Sequence, residues 1–227
     1  MTASARLAPS QRQAFRKLAA HTEGIDVPAY EALGKDPLEP IIGLGPPDAP
    51  LAFFGRDPGR DEVRYAEPFI GSGGQLVRRG LYRHLHHGDM PDFAASRAVG
   101  DGYFWINTVP YKPIGNRAWS MAVKRRFHPL MRQLLIDNWN GRDIVTLGRE
   151  AFLWFGLEQS RENRQRLDAF WKRDDRFSAH CGIELAGENG STRPFRLHPL
   201  PHPSPLNAVW FKRFPALLDA RLRQLLG

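Results

Sequence analysis

Two ionisable side chains stand where a short apolar run gives way to a stiff turn. Asp57 sits in LAFFGRDPGRDE (residues 51–62) and His202 in LHPLPHPSPLN (residues 197–207). A strand that delivers an acid or a histidine to a tight loop is how α/β enzymes build sites at the carboxyl ends of their sheets. Around Asp57, Gly55 and Gly59 let the backbone turn sharply and approach a ligand, and Pro58 fixes the bend. The other reading of Asp57 is an Asx turn or a helix cap. Phe69, beside Pro68 and close to Gly71, is either a stacking platform for a planar base or a core aromatic. Asn107 ends the run YFWIN, where its amide can meet the Watson–Crick edge of a pyrimidine or cap a turn. In PHPSPL the prolines hold out His202 and the apolar Leu206, a candidate wedge for a base stack; the alternative is a connector to the last helix.

Composition narrows the partners. A chain of 227 residues with 42% hydrophobic and 25% charged content has the balance of a globular protein with a real core. No apolar run approaches the roughly 20 residues that span a bilayer, and the N-terminal MTASARLAPSQRQAFRK has no continuous apolar core, so neither a membrane partner nor a secretory signal is expected. The expected location is the cytoplasm. The single Cys181 excludes an internal disulfide and any all-cysteine zinc or iron–sulfur site within one chain. A formal charge of +8 favours a polyanionic partner, because neutralising phosphates releases counterions.

Apolar runs at 51–55, 103–107, 144–148 and 195–198 read as buried strands. Helical patterns lie at 74–85, 126–139, 150–155 and 162–171, with an amphipathic helix over 208–226. The polar, Gly-rich 174–193 reads as a hairpin or loop insertion. Strands alternating with helices imply a three-layer α/β/α sandwich around a short, four-stranded parallel sheet. One domain over 1–227 is expected, with 1–45 as a helical segment and Pro/Gly-rich connector.

Taken in order, GRDPGRDE, EPFIGSGGQL, the WIN strand end, PIGNR, TLGREAF and HPSPLN resemble the uracil-DNA glycosylase superfamily, from about residue 51 to the C-terminus. Residues 55–76 are similar to the family-four form GEAPG…PFVG.AGQL. Arg56 and Asp57 replace its Glu and Ala, however, and Asp57 matches the aspartate of the family-one motif GQDPYH. The segment HPSPL is also closer to family one. Tyr111 and Phe127 fall at two positions that hold cluster cysteines in family four, so no iron–sulfur cluster is expected.

The resemblance implies a monomeric, monofunctional DNA glycosylase of base excision repair that needs no metal or other cofactor. Uracil flipped out of DNA would stack on Phe69, be read by Asn107 and lie against the turn formed by Gly55, Arg56, Pro58 and Gly59. His202 would donate to O2 as negative charge develops, and Asp57 would stabilise the sugar cation and orient water. Leu206 would fill the vacated stack, while Ser204, Asn207 and nearby amides would meet phosphates. Family one carries a tyrosine where this chain has Gly59; without that wall the pocket is expected to admit 5-substituted or other deaminated bases. Lys124-Arg125-Arg126-Phe127-His128 is similar to the KRRIH loop of a branch that traps uracil-DNA covalently through its histidine. Because Pro129-Leu130 reads as a helix start abutting His128, a basic phosphate-contacting patch is favoured over capture. The cluster His84, His86 and His87 reads as polar surface near DNA, and a metal-dependent hydrolase built on Asp57 and His202 is a third reading that EDTA would expose.

Overall fold

The computed structural model describes residues 6–188, 190–205 and 207–227. Two helices come first, α1 (Pro9–Ala20) and α2 (Val27–Glu31). They are followed by β1 (Ala52–Gly55), α3 (Arg60–Tyr65), α4 (Ser72–His86), α5 (Phe93–Gly100) and β2 (Phe104–Asn107). Next are α6 (Met121–Asn138), β3 (Asp143–Leu147), α7 (Arg149–Trp154) and α8 (Arg161–Trp171). The chain closes with β4 (Cys181–Ala186), β5 (Thr192–Leu200), α9 (Ala208–Phe211) and α10 (Phe214–Leu226).

Among the described residues the strands form one five-stranded sheet in the order β2-β1-β3-β5-β4. The first four are mutually parallel, as their apolar runs predict, and β4 lies antiparallel to β5. The expected four-stranded sheet is therefore one strand short. The insertion after α8 supplies the fifth, in which Cys181, Ile183 and Leu185 point inward while Gly182, Glu184 and Ala186 face out. That period-two alternation of burial is what an antiparallel edge strand with one wet face requires, and in the sequence it is weak because Gly182 and Ala186 hold two of the three outward positions.

Alternation within the parallel strands builds two cores. Ala52, Phe54, Phe104, Ile106 and Ile144 pack on one side, with α1, α6, α7 and α8. Leu51, Phe53, Tyr103, Trp105, Val145 and Leu147 pack on the other, against Val77, Leu81, Val99, Phe214, Leu218 and Leu222 of α4, α5 and α10. This is the expected three-layer arrangement.

Two helix boundaries differ from expectation. Helix α6 starts at Met121, where the Ser120 hydroxyl accepts from the Val123 N–H, and Pro129 lies within it. The expected 208–226 helix is divided at Lys212–Arg213, and α10 restarts with Pro215 in its first turn, where a missing N–H costs nothing.

Candidate active site

Parallel order makes the carboxyl ends of β1, β2, β3 and β5 share one edge, and the strand order reverses direction around β1, where open α/β sheets leave a crevice. Register does the rest. Gly55 pairs with Asn107 and Leu147 with Leu200, so the chain leaving β1, β2 and β5 reaches the same place. There, Gly55, Arg56, Asp57, Gly59, Phe69, Asn107 and His202 line one cavity of about 150 Å³. A void of that size accepts a single benzene-sized ring.

The Asp57 turn is tied down from behind. The Thr108 N–H donates to the carbonyls of Gly55 and Arg56 at 2.9 Å each. The Thr108 hydroxyl lies 2.8 Å from the Arg56 carbonyl and 3.2 Å from Asp57 Oδ1. The Asp57 side chain is only 3% exposed, and its Oδ2, 3.6 Å from Arg56 Nε, accepts no hydrogen bond from a described residue. Burial pushes the carboxyl up to about 6, against the pull of Arg56, Lys124 and Thr108. A desolvated carboxylate with a free oxygen turned to a cavity is a poised base and cation stabiliser.

Phe69 is a buried wall of this cavity rather than an exposed platform. Its ring lies 5.1 Å from that of Trp105, and its backbone takes φ 57°, a conformation a bulky residue adopts only when its surroundings impose it. Arg78 does the imposing. Fully buried, it donates from Nε to the Phe69 carbonyl at 2.9 Å, from Nη1 to the Ser96 carbonyl and from Nη2 to Glu67 at 2.8 Å. Glycine is required twice nearby. A Cβ at Gly55 would lie 2.5 Å from the Phe69 ring, and one at Gly74 would lie 2.0 Å from the Phe69 carbonyl oxygen.

Asn107 is buried at the end of β2, and its amide makes no hydrogen bond to a described residue. His202 enters from the loop after β5. The path is fixed by Gly148, at φ 94°, whose missing side chain leaves room for His202 Cβ, and by Pro203, which packs on Gly73. Burial and then the Arg56 charge press the imidazole down to about 4, so it is neutral at physiological pH and keeps one N–H to donate.

The cavity also contains residues the sequence did not single out. Glu62 accepts from the Gly59 N–H at 2.9 Å and from the Gly71 N–H at 2.8 Å, clamping the Asp57 turn to the Phe69 loop with one carboxylate. Its Oε2 would lie 2.9 Å from a Cβ at Gly59, so the space opened by that glycine is bounded by a carboxylate. Only a Glu three residues after the Gly59 cap signals this; the link to Gly71 has no local sign. Thr108 and Arg78 are likewise visible only in three dimensions.

Of the other expected residues, Pro58 is buried in the turn without lining the cavity, and Ser204 is half-buried in the loop beyond His202. Asn207 caps α9 in sequence position without a side-chain cap bond, and Leu206 lies outside the described residues. The basic run on α6 does not form the expected patch. Helical spacing turns Lys124, Phe127, His128 and Met131 to the core and leaves Arg125 and Arg126 outside. The buried Lys124 ammonium pairs with Glu150, and Arg126 donates to the His21 carbonyl at 2.6 Å. His128, 1% exposed with its ring 4.2 Å from that of Trp154, cannot reach DNA, which removes covalent capture through it. Tyr111 and Phe127 are buried with their rings 5.6 Å apart, and Phe15 of α1 stacks on Phe127. Among the described residues no group of three or more His, Cys, Asp or Glu side chains is arranged to hold a metal ion, and no helix is long and apolar enough to cross a membrane.

No curated protein matches the chain. The family model for the uracil DNA glycosylase superfamily matches residues 42–226, a span that includes every strand, the Asp57 turn, the Phe69 loop and the His202 loop. The sheet edge that gathers these loops is thus the part of the molecule that this family describes, and the chain belongs to the uracil DNA glycosylase superfamily.

Proposed function

We propose that the protein is a monofunctional DNA glycosylase, folded as one domain and acting as a monomer in the cytoplasm, that hydrolyses the N-glycosidic bond of uracil in DNA and leaves an abasic site. The observation that carries this is the cavity itself. It has room for one ring, an aromatic wall, an unpaired amide, a neutral imidazole and a buried carboxylate oxygen without a partner.

Each group has a task in that reaction. The base must leave the duplex, because its glycosidic bond is inaccessible within the stack. Phe69 covers its face, and Asn107 accepts from N3–H and donates to O4. As the bond lengthens, negative charge gathers on the departing base, and neutral His202 donates its N–H to O2. Pressed down to about 4, it is neutral at physiological pH and acts without first having to shed a proton. Ionised Asp57 faces the sugar, stabilises the developing cation and orients the water that attacks C1′, taking its proton. Thr108 and Glu62 hold the turn that carries it. The C5 edge of the base is left to Gly59 and the Glu62 carboxylate, which admits small or hydrogen-bonding 5-substituents better than a large aromatic wall would. Leu206 fills the vacated stack, and Ser204, Asn207 and Arg125 meet the DNA backbone.

An end-labelled oligonucleotide holding one uracil, incubated in EDTA and then treated with alkali, tests this reading. Cleavage at the uracil that needs alkali and continues over many turnovers supports it. Cleavage without alkali, or cleavage abolished by EDTA, refutes it.

A further inference from the structure

The histidine- and arginine-rich stretch after the Phe69 loop has no part in the chemistry above, yet its placement is specific. Residues 76, 79, 80, 83 and 84 fall on one stripe of α4 and, with His87 just past its end, face α9 and α10 across a groove of about 1100 Å³. The two walls meet at the active site. The first turn of α4, Ser72–Gly74, lines the catalytic cavity, and α9 follows directly on the His202 loop.

The groove is cationic along its length. Arg79, Arg83, His84 and His87 come from the α4 wall, and Lys212 and Arg223 from the other. All but the half-buried His84 are exposed. Two acids oppose them: Asp219 pairs with Arg223 at 2.7 Å and Asp89 with Arg83 at 2.7 Å. Arg79 and Lys212 have no ion-pair partner among the described residues. Near the cavity end the lining also includes Leu76 and the half-buried ring of Phe211, an apolar surface on which a base can rest. From residue 76 to 86 the helix rises about 15 Å, the span of roughly four to five phosphates of a DNA strand stacked as in a duplex.

We propose that this groove is a binding site for the sugar–phosphate backbone of the substrate strand, holding the single-stranded arm on one side of the flipped nucleotide. The proposal rests on the glycosylase reading for the identity of the polyanion, while the groove's shape and charge are independent of it. A strand leaving the cavity mouth enters between α4 and α9 and runs along α4 with its phosphates between the two cationic walls. The positive potential there is higher than on a convex surface, because both walls act on the same phosphates and the cleft focuses the field between them.

The test is the salt dependence of binding of a labelled, uracil-free single-stranded 20-mer, measured by fluorescence anisotropy for the wild type and for the triple variant Arg79→Gln, Arg83→Gln, Lys212→Gln. Three lost phosphate contacts reduce the slope of log K against log salt by about 2, which is about 100-fold in affinity at 0.1 M salt and converges towards no difference near 1 M. A uracil-containing trinucleotide, too short to occupy the groove, is processed at the wild-type rate. Oligomers extended only 5′ or only 3′ of the target show the loss for one polarity. An unchanged slope, a loss that persists at 1 M salt, or an equal loss with the trinucleotide overturns the proposal. Because the 20-mer holds no uracil, failure of excision and failure of the groove are read separately.

Discussion

Replacing Asp57 by asparagine removes a charge that the fold holds at a cost. Burial lifts the carboxyl from 3.8 to about 6 although Arg56, Lys124 and Thr108 all favour the anion. Between those two pH values the native state keeps a proton that the unfolded chain has lost, so the native state loses stability as pH rises across the window and has none of it to regain above about 6. Two pKa units correspond to about 3 kcal/mol, an amount carried in full by a side chain this enclosed. The amide keeps the shape and carries no charge. Above pH 7 the Asp57→Asn variant is therefore expected to be more stable than the wild type by about 3 kcal/mol, or about 6–12 °C in Tm for a chain of this size. Near pH 4 the two converge. Buried His128, His198 and His202, each pressed down to about 4, act in the opposite direction. Neutral in the fold and charged in the unfolded chain, they take stability away as pH falls from 6.5 towards 4. The comparison is thus made between variant and wild type at each pH by thermal melts from pH 4 to 8. Excision falls meanwhile by about 10²–10⁴-fold. A variant equally or less stable at pH 7.5, or one that gains as much at pH 4 as at pH 7.5, refutes the idea that Asp57 is held against its own preference.

The pH profile of kcat/KM should rise about tenfold per unit below pH 6 and level off above it as Asp57 ionises, with no second limb from His202 between 5 and 8; a rate flat from pH 5 to 8 contradicts this. Glu62→Gln leaves one of two backbone N–H groups facing an amide donor, and should cost about 1–2 kcal/mol in denaturant melts and raise KM more than it lowers kcat. Arg78→Met strips the Phe69, Pro68 and Ser96 carbonyls and Glu67 of their shared donor, and should cost about 3–5 kcal/mol by denaturant unfolding; a loss below 1 kcal/mol would show that another group sets the Phe69 backbone.

Much of this site is local, and local features are legible in a sequence. The apolar runs that end at Gly55 and Asn107 identify strands, the Gly and Pro residues around Asp57 and His202 identify rigid turns, and parallel topology brings all four strand ends to one edge. What escaped detection depends on contacts between distant positions. Thr108 reaches a carboxylate 51 residues away, and Glu62 links two glycines that no pattern connects. Arg78 reads as one more surface arginine of an amphipathic helix, yet it is buried beneath the Phe69 loop. The basic run 124–128 misled for a related reason. Once Ser120 starts the helix, the 3.6-residue period rather than charge decides which side chains face water, and it sends Lys124 and His128 inward. The edge strand β4 was hidden because its outward positions are Gly182, Glu184 and Ala186, so neither an unbroken apolar run nor a clear apolar–polar alternation marks it, and Gly and Ala are poor strand formers.

The most direct measurement is the release of free base. Uracil-containing DNA in excess over the protein is incubated in EDTA, and the small-molecule fraction is resolved by chromatography for the wild type, Asp57→Asn and His202→Ala. Free uracil accumulating over many turnovers with the wild type, and more than about 100-fold more slowly with each variant, is the expected result. No free base from the wild type, or equal release by either variant, would remove the cavity's chemistry from this protein.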